Sequence, residues 1–302
     1  MSNLTVSTSP HIRGGATTNR IMLDVVIALM PAFIASIAIF GARAALVVCV
    51  CAVSAVASEW IYQKAMKKPV TIRDLSAVVT GILLGFSLPV GIPIWQAVFG
   101  SIIAIILVKQ LFGGLGKNFA NPAITARIIM FLAFSANITE FSSDAITGAT
   151  PLALLAHGEA APQIWDMILG LHGGCLGETS AIALLIGGAY LIARRVIFPH
   201  TPLIFIATVF AFSAALGQQP LYQILSGGLF IGAFFMATDY VTTPVTASGK
   251  VIFAIGAGFF TVVIRTYGSY PEGVSFAILL MNILTPYINR LTVRRPFGRA
   301  KV

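Results

Sequence analysis

The apolar positions of this chain fall into continuous blocks of about twenty residues instead of alternating with polar positions. A helix of roughly that length crosses a hydrocarbon layer of about 30 Å. Because that layer offers no water to the backbone, each crossing segment must pair its own N–H and C=O groups, which favours helices. A transmembrane β-barrel would instead show strands of about ten residues with alternating polarity. The pattern therefore predicts an all-α membrane protein.

Two of the apolar segments carry signs of interruption. The third is short and is stopped by Pro89 and Pro93, and the eighth is followed by the polar run Asp239–Pro244. Such segments often break or stop partway through the membrane. We therefore expect about ten transmembrane helices, with the third helix of each half broken. Their approximate bounds are 21–41, 44–63, 75–91, 94–112, 121–137, 179–198, 201–217, 221–238, 250–267 and 272–291.

The composition agrees with burial in lipid. Hydrophobic residues make up 57% of the chain and charged residues only 10%, whereas soluble domains carry about 25% charged residues. In a soluble protein the net charge of +9 would raise the question of nucleic acid, but here the basic residues flank the predicted spans and are interpreted as topology signals. Cys49 and Cys51 lie inside an apolar span and are expected to be packing residues. The polar segment 1–20 lacks the apolar core of a cleavable signal peptide.

The basic residues predict the orientation of the chain. Nearly all of them fall on one side if there are ten spans, and only Arg43 and Arg265 lie clearly on the other. Arg127, just inside the fifth span, is expected to snorkel to the cytoplasmic face. By the positive-inside rule, both termini are cytoplasmic. The longest hydrophilic segment, 138–178, contains no Lys or Arg, so it is expected outside the cytoplasm.

That segment divides the chain into two halves of five spans. We expect a cytoplasmic segment 1–20, a first half 21–137, the external loop 138–178, a second half 179–291 and a basic cytoplasmic tail 292–302. The third span of the first half contains Gly81-x-x-x-Gly85, and the third span of the second half contains Gly228-x-x-x-Gly232. Because five is odd, two such halves would be inverted repeats, a plan common in transporters. The alternative is that these glycines merely let helices pack closely.

The external loop contains one motif that could carry chemistry, Asp144-Ala-Ile-Thr147-Gly148-Ala149-Thr150. From the residues alone it is a flexible, hydroxyl-rich turn, and a simple turn remains the alternative. The pattern Asp-x-x-(Ser/Thr)-Gly-Ala-Thr resembles the flavinylation motif that bacterial FMN transferases recognise. The resemblance implies that FMN is joined through its phosphate to the hydroxyl of Thr150. That chemistry requires an exposed hydroxyl on a pliable segment, and the small neighbours would let the second enzyme approach.

Three further segments carry the same resemblance: residues 113–123, which are glycine-rich, residues 237–245 and residues 270–282. Together with the loop motif they extend it over nearly the whole chain. The chain resembles the family formed by the D-type subunit of the Rnf electron-transport complex (RnfD) and the B-type subunit of the Na⁺-translocating NADH:quinone reductase. It lacks the long N-terminal extension typical of the latter, which makes the Rnf branch the closer match.

The resemblance implies a multi-pass subunit of the bacterial cytoplasmic (inner) membrane. Its complex would pass electrons between reduced ferredoxin and NAD and move Na⁺ or H⁺, so that catalysis belongs to the whole complex. The implied partners are the lipid bilayer, the A, B, C, E and G subunits of the Rnf complex, and a flavin transferase during maturation. The implied cofactors are covalent FMN and a second, noncovalent flavin (riboflavin), to which no residues can be assigned.

The ion route has few candidates in the sequence. All ten acidic residues are expected near a membrane face or in a loop. Asp24 and Glu59 are expected to pair with Arg20, Lys64 or another basic neighbour. Asp239 stands at the second-half break, where freed carbonyls and helix ends could coordinate a cation, although turn formation is the alternative. Asp24 and Asp239 are therefore the ion-path candidates, and the four widely spaced histidines predict no metal site.

Two other classes of function compete with this interpretation. A stand-alone inverted-repeat transporter or channel without a redox role is compatible with the fold, because a fold does not decide a function. It predicts transport by the isolated subunit without flavin, and the loop motif argues against it. An intramembrane lipid-processing enzyme would need a His-rich or Asp-rich cluster, which the sequence lacks.

Overall fold

The computed structural model describes residues 17–139, 150–156, 162–178, 180–268 and 272–293, and in these ranges the regular structure is helical, with no strand. A short 3₁₀ turn (Ile72–Asp74) precedes the third helix. In chain order the helices are α1 (Thr18–Phe40), α2 (Ala42–Ala65), α3 (Ser76–Phe86), α4 (Ile94–Gln110, π-helical from Ile103), α5 (Pro122–Ala133), α6 (Ser135–Thr139), α7 (Pro151–Ala156), α8 (Ile164–Leu169), α9 (Ala181–Ala193), α10 (His200–Ala215), α11 (Pro220–Leu225), α12 (Leu229–Ile231, continued by a π-helical turn Gly232–Met236), α13 (Ala247–Tyr267) and α14 (Val274–Thr292).

Four of these helices, α1, α2, α13 and α14, are long and apolar enough to cross a membrane. Five shorter apolar helices, α3, α4, α5, α9 and α10, pack among them. Large apolar side chains also face outward along the long helices, as with Ile34 on α1 and Val53 on α2, a surface that suits lipid. The prediction of an all-α membrane protein is therefore confirmed.

Both predicted interruptions exist, and the second half contains one further break. No helix covers the polar run Asp239–Pro244, because the π-helical turn ends at Met236 and α13 begins at Ala247. Helix α3 ends at Phe86 and no further helix begins until Ile94, in agreement with the short third span. The further break falls inside the predicted span 221–238, where α11 ends at Leu225 and α12 begins at Leu229. Gly227 and Gly228 lie between them with φ of +67° and +66°, a backbone conformation that glycine adopts without a steric penalty.

The glycines of the first-half motif bring two helices into close contact. A Cβ placed on Gly81 would lie 2.6 Å from the Cα of Ala52, and one on Gly85 would lie 3.0 Å from the Cα of Val48. Any larger side chain at Gly81 would therefore push α3 away from α2. The close-packing interpretation is confirmed for this motif, while the repeat remains a prediction.

The predicted external loop is not entirely a loop. Residues 172–178 are buried and run beside the break that follows α3. The N–H of Leu176 donates to the carbonyl of Leu88 at 3.1 Å, and the N–H of Gly177 donates to that of Phe86 at 2.7 Å. The prediction of a hydrophilic loop over 138–178 is thus wrong for residues 172–178, which are buried, while the side of the membrane stays a prediction. The physical reason is that residues 173–177 are small or apolar and that the N–H groups of Leu176 and Gly177 satisfy carbonyls that the break leaves free.

The two arginines that depart from the charge rule bind the two interrupted segments. Arg43 donates from Nε to the carbonyl of Val90 at 3.0 Å and from Nη2 to that of Gly91 at 3.3 Å. Arg265 donates from Nη1 to the carbonyl of Gln223 at 2.5 Å, and from Nη2 to the carbonyls of Ser226 and Gly227 at 2.9 Å and 3.1 Å. We call these two residues the arginine clamps, since each satisfies carbonyls that a helix would otherwise pair.

Candidate functional site

Thr150 lies directly before α7. It is 8% exposed, and its Oγ1 accepts a hydrogen bond from the N–H of Ala153 at 3.2 Å, the bond that an N-cap hydroxyl makes. The expectation of an exposed hydroxyl is therefore wrong in this conformation, because the hydroxyl caps the helix that follows it. The other motif residues, Asp144, Thr147, Gly148 and Ala149, lie outside the described residues.

Helix α7 packs beside the Gly227–Gly228 interruption. A Cβ placed on Gly227 would overlap a methyl group of Leu152 and would lie 2.7 Å from Nη2 of Arg265. A Cβ placed on Gly228 would lie 2.8 Å from Oε1 of Glu178. Consecutive Cα atoms are about 3.8 Å apart. Helix α7 contacts Gly227 and the carboxylate of Glu178 contacts Gly228. The distance between α7 and this carboxylate is therefore about that spanned by two neighbouring residues.

Glu178 belongs to a buried charge cluster that we define as Arg127, Cys175, Glu178 and Glu272. Nη2 of Arg127 donates to Oε1 of Glu178 and to Sγ of Cys175, each at 3.3 Å, and also to Oε2 of Glu272. The side chains of Arg127 and Glu178 are 6% and 3% exposed, and that of Glu272 is 15% exposed. The thiol and the two carboxylates lie within 4.8 Å of one another. Within this cluster Glu272 therefore keeps the most access to the surface.

The cluster corrects what the sequence predicts for Arg127 and for Glu178. Arg127 does not snorkel to the cytoplasmic face, because Glu178 and Glu272 hold its guanidinium inside the bundle. Glu178, which the sequence places in the external loop, is instead buried and paired with Arg127. The sequence does contain a signal, since an arginine inside an apolar span requires a partner. Its partner Glu272 is 145 residues away along the chain, so spacing alone does not identify it.

A second buried ion pair lies between α2 and α4. Nζ of Lys109 is 2.9 Å from Oε2 of Glu59, and both side chains are 1% exposed. Lys109 also donates to Oγ of Ser76 at 2.7 Å, and Nε2 of Gln110 donates to Oε1 of Glu59 at 2.7 Å. The sequence predicts a basic partner for Glu59, and that partner is Lys109 instead of Lys64. The carboxylate of Glu59 is therefore buried and paired, not exposed to solvent.

The two ion-path candidates are both engaged in local bonds. Asp24 accepts from the hydroxyl of Tyr190 at 3.0 Å and lies 3.4 Å from Nη2 of Arg194, so its ionic partner is not Arg20. Asp239 accepts from the N–H of Val241 at 3.3 Å and from the hydroxyl of Thr242 at 3.1 Å. The turn-forming role that competed with cation binding at Asp239 is therefore observed.

An open cavity lies between the two halves of the chain and is lined by residues of both. Its empty space is about 750 Å³ when the open solvent at its mouth is included. Val25, Leu83 and Phe235 contribute apolar walls, and Asn118 and Asp239 contribute polar groups. Within the part of the chain that the structure describes, Oδ1 of Asn118 is buried and has no hydrogen-bond partner. A buried acceptor without a partner is costly, which makes this wall suited to a ligand that donates a hydrogen bond.

The three segments that carry the family resemblance meet beside this cavity. In the orientation of the Asn282 amide that satisfies both its groups, the nitrogen donates to the carbonyl of Thr242 and the oxygen accepts from the N–H of Asn121, each at 3.2 Å. The hydroxyl of Thr285 also donates to the carbonyl of Thr242, at 3.0 Å. Residues from both halves are thus joined at one point.

Broken helices, buried ion pairs and a cavity lined by residues of both halves are features of polytopic membrane proteins. The NQR2, RnfD, RnfE family matches residues 5–298. The chain belongs to this family.

Three curated relatives, each the D-type subunit of its complex, are similar over almost their whole length. The chain is 50% identical over 308 residues to that of the "Na(+)-translocating ferredoxin:NAD(+) oxidoreductase complex" of Acetobacterium woodii, covering 99% of this chain and 97% of that protein. It is 41% identical to that of the "Proton-translocating ferredoxin:NAD(+) oxidoreductase complex" of Clostridium ljungdahlii, covering 97% and 96%. It is 38% identical to that of the "Ion-translocating oxidoreductase complex" of Stutzerimonas stutzeri, covering 94% and 93%.

Proposed function

We propose that this chain is the D-type membrane subunit of an ion-translocating ferredoxin:NAD oxidoreductase complex, and that it relays electrons through FMN attached to Thr150. The observation that carries the first part is the near full-length similarity to three proteins whose names all describe the D-type subunit of an ion-translocating oxidoreductase complex. The complex would include the A, B, C, E and G subunits, and a flavin transferase would act during maturation.

The hydroxyl of Thr150 has the chemistry that a phosphoester requires. Once bound, the flavin would supply the redox chemistry, and the protein would supply position and electrostatics. In this conformation Oγ1 caps α7, so transfer requires the first turn of α7 to leave α11. A helix of six residues has little stability of its own, since isolated helices below about 12–15 residues are marginal. Opening this segment therefore costs mainly the packing of Leu152 beside Gly227.

The cavity between the two halves supports a place for the second, noncovalent flavin. An isoalloxazine ring needs apolar walls with a few polar groups at its edge, and Leu83, Phe235 and Asn118 offer that combination. The free Oδ1 of Asn118 would accept a hydrogen bond from an N–H of the ring. Asp239 at the same cavity remains an ion-path candidate beside it, and Asp24, neutralised by Arg194, is the weaker one.

A chain of ten spans is supported by the overlap in sequence between the predicted spans and the nine apolar helices of the described ranges with the interrupted segment α11–α12. We propose that they cross the bacterial inner membrane with both termini in the cytoplasm and that the two halves are inverted repeats. Thr150 would then face the extracytoplasmic side, where a flavin transferase could reach it. The relatives' names differ in the translocated ion, so both Na⁺ and H⁺ remain open for this chain.

A flavin-fluorescence gel tests the proposal. When the chain is co-expressed with a flavin transferase, its band after denaturing electrophoresis should fluoresce under ultraviolet light. Thr150→Ala should abolish the fluorescence because no hydroxyl remains, whereas Thr139→Ala, at an exposed threonine, should leave it unchanged. A dark wild-type band would support the stand-alone transporter instead, and an undiminished Thr150→Ala band would refute the attachment site.

A further inference from the structure

We propose that Arg265 is a positioning residue for the covalent flavin, because its guanidinium binds the phosphodiester that joins FMN to Thr150. This inference rests on the proposed function and names the side chain that holds the linkage in place. A phosphodiester carries one negative charge at neutral pH, so a single arginine matches it in charge. Arg265 fixes the linkage, and the redox chemistry stays with the flavin.

Arg265 is a buried cation whose direct partners are all neutral. The residue is 9% exposed. Nη1 donates to the carbonyl and to the side-chain oxygen of Gln223, and Nη2 donates to the carbonyls of Ser226 and Gly227. Among the described residues, no carboxylate forms an ion pair with it. A charge removed from water is costly unless an opposite charge compensates it, so this position favours an anion.

The acids of the neighbouring charge cluster already have a partner. Glu178 lies beside the Gly227–Gly228 interruption, but its carboxylate and that of Glu272 both contact Arg127. Two carboxylates against one arginine leave one negative charge in that cluster, and attraction across this distance lowers the cost of burying Arg265. It satisfies none of the N–H groups of Arg265, which need an acceptor in direct contact.

One donor of Arg265 lacks such an acceptor. Its Nε is buried and has no hydrogen-bond partner in the part of the chain that the structure describes. Nε and Nη2 lie on the same edge of the planar guanidinium, the edge with which arginine can bind two oxygens of a carboxylate or a phosphate. A phosphate oxygen at this edge would accept from Nε and would bring the missing negative charge into contact.

This edge lies beside the helix that begins after Thr150. A Cβ placed on Gly227 would lie 2.7 Å from Nη2 of Arg265 and would overlap a methyl group of Leu152. Leu152 is two residues after Thr150, a rise of about 3 Å along a helix. The hydroxyl that carries the phosphate therefore belongs to the same turn whose side chain adjoins the guanidinium. When α7 is packed on α11, the phosphate lies next to the free Nε.

The other arginine clamp shows that pairing carbonyls does not require burial. Arg43 donates to the carbonyls of Val90 and Gly91, and its Nε is one of the donors. Its side chain is exposed, so water solvates the charge. Arg265 has the same structural task but is buried and keeps its Nε free. It also lies on the side predicted to be external, where the positive-inside rule gives no reason for a basic residue.

A thermodynamic cycle separates phosphate binding from the structural role of the clamp. The full-length subunit is expressed with and without a flavin transferase, and the Tm of each form is measured in detergent for the wild type, Arg265→Gln and Arg43→Gln. Attachment of FMN should raise the Tm of the wild type and of the matched control Arg43→Gln by the same amount. In Arg265→Gln the rise should fall to less than half. A purely structural clamp would lower the Tm of the loaded and unloaded forms equally.

A measurement on the wild type keeps the inference falsifiable if Arg265→Gln does not fold. The subunit is labelled with ¹⁵N in its arginine side chains, loaded with FMN and purified without phospholipid or phosphate buffer. Solid-state NMR then measures the dipolar coupling between nitrogen and phosphorus. A guanidinium bonded to a phosphate oxygen at about 2.7–2.9 Å should give this coupling at an arginine Nε. Thr150→Ala, which carries no phosphodiester, should give none.

The outcomes separate this inference from the proposed function. If the wild-type band on the denaturing gel is dark, no phosphodiester forms and both are refuted. If the band fluoresces but the rise in Tm is the same in Arg265→Gln, or the loaded wild type shows no coupling at Nε, the positioning role alone is refuted. A coupling that persists in Thr150→Ala would also overturn it, since the arginine would then hold an inorganic phosphate.

Discussion

Arg127 shows how a single charge is tolerated inside an apolar helix. Its guanidinium contacts two carboxylates and a thiol that come from two distant segments. Removing ions from water costs several kcal/mol each, and close pairing returns most of that cost. The buried charges therefore stabilise one another. If one of them is lost, the desolvation cost of the remaining charges is no longer offset.

Replacement of Arg127 by alanine should destabilise the protein by about 3–5 kcal/mol, because Glu178 and Glu272 would remain buried without their partner. Denaturant unfolding of the purified subunit in detergent would measure the change. Arg194→Ala is the control, since Arg194 is 41% exposed beside Asp24 and solvent screens that pair. A loss at Arg127 no larger than the loss at Arg194 would contradict the cluster.

The residue scale also shows where sequence reasoning stops. The need of Arg127 for a partner follows from its place in an apolar span, but the identity of Glu272 does not. The capping bond of Thr150 is equally hidden, because the six-residue helix α7 has no periodic pattern to reveal it. The ion cluster depends on contacts between segments far apart along the chain, which composition and spacing do not encode.

At the scale of the elements, the first glycine motif predicts a close helix–helix contact, and the structure shows that this contact joins α3 to α2. The sequence correctly indicates close packing at Gly81 and Gly85. It also predicts that the third helix is short, because Pro89 and Pro93 follow it, although α3 ends at Phe86 and not at residue 91. The interruption between α11 and α12 is harder to locate from the sequence. Residues 226–228 (Ser-Gly-Gly) lie within an apolar block, and no proline there marks the end of a helix.

Gly81→Leu should separate α3 from α2, because even a methyl group at this position would lie 2.6 Å from the backbone of Ala52 and Cys51. Overpacking of this kind typically costs about 1–3 kcal/mol. We expect lower thermal stability in detergent and a lower yield of folded protein. Ala57→Leu on the exposed face of α2 is the matched control and should behave as the wild type, and equal stability of the two variants would argue against the contact.

For the whole molecule, charge and hydropathy predict the fold class and the positions of the nine apolar helices found in the described residues. They do not predict that residues 172–178 return into the bundle, because short, glycine-rich segments resemble external loops in any count of hydrophobic residues. Their burial follows from the carbonyls of Phe86 and Leu88, which accept their N–H groups. Such a partner exists only once the chain has folded.

The proposed orientation can be measured with single cysteines in a chain whose three native cysteines are replaced by serine. A cysteine at the exposed Gln163 should react with an impermeant maleimide in intact cells, because it lies in the external segment. A cysteine at the exposed Lys117 should react only after the cells are opened. The reverse pattern would invert the topology and would place Thr150 on the cytoplasmic side.

The arginine clamps bear on the order in which this protein can be assembled during synthesis. Arg43 precedes the carbonyls of Val90 and Gly91 by 47 and 48 residues. Its guanidinium is therefore already present when the interrupted segment after α3 leaves the ribosome. Arg265 follows the carbonyl of Gly227 by 38 residues, so the second break must wait for α13 to be translated. Chains are made from the N-terminus, and their parts fold in that order. The hydrogen bonds of Arg43 can therefore form while the first half is being inserted. The bonds of Arg265 to the segment beside Thr150 form only when almost the whole chain has been inserted.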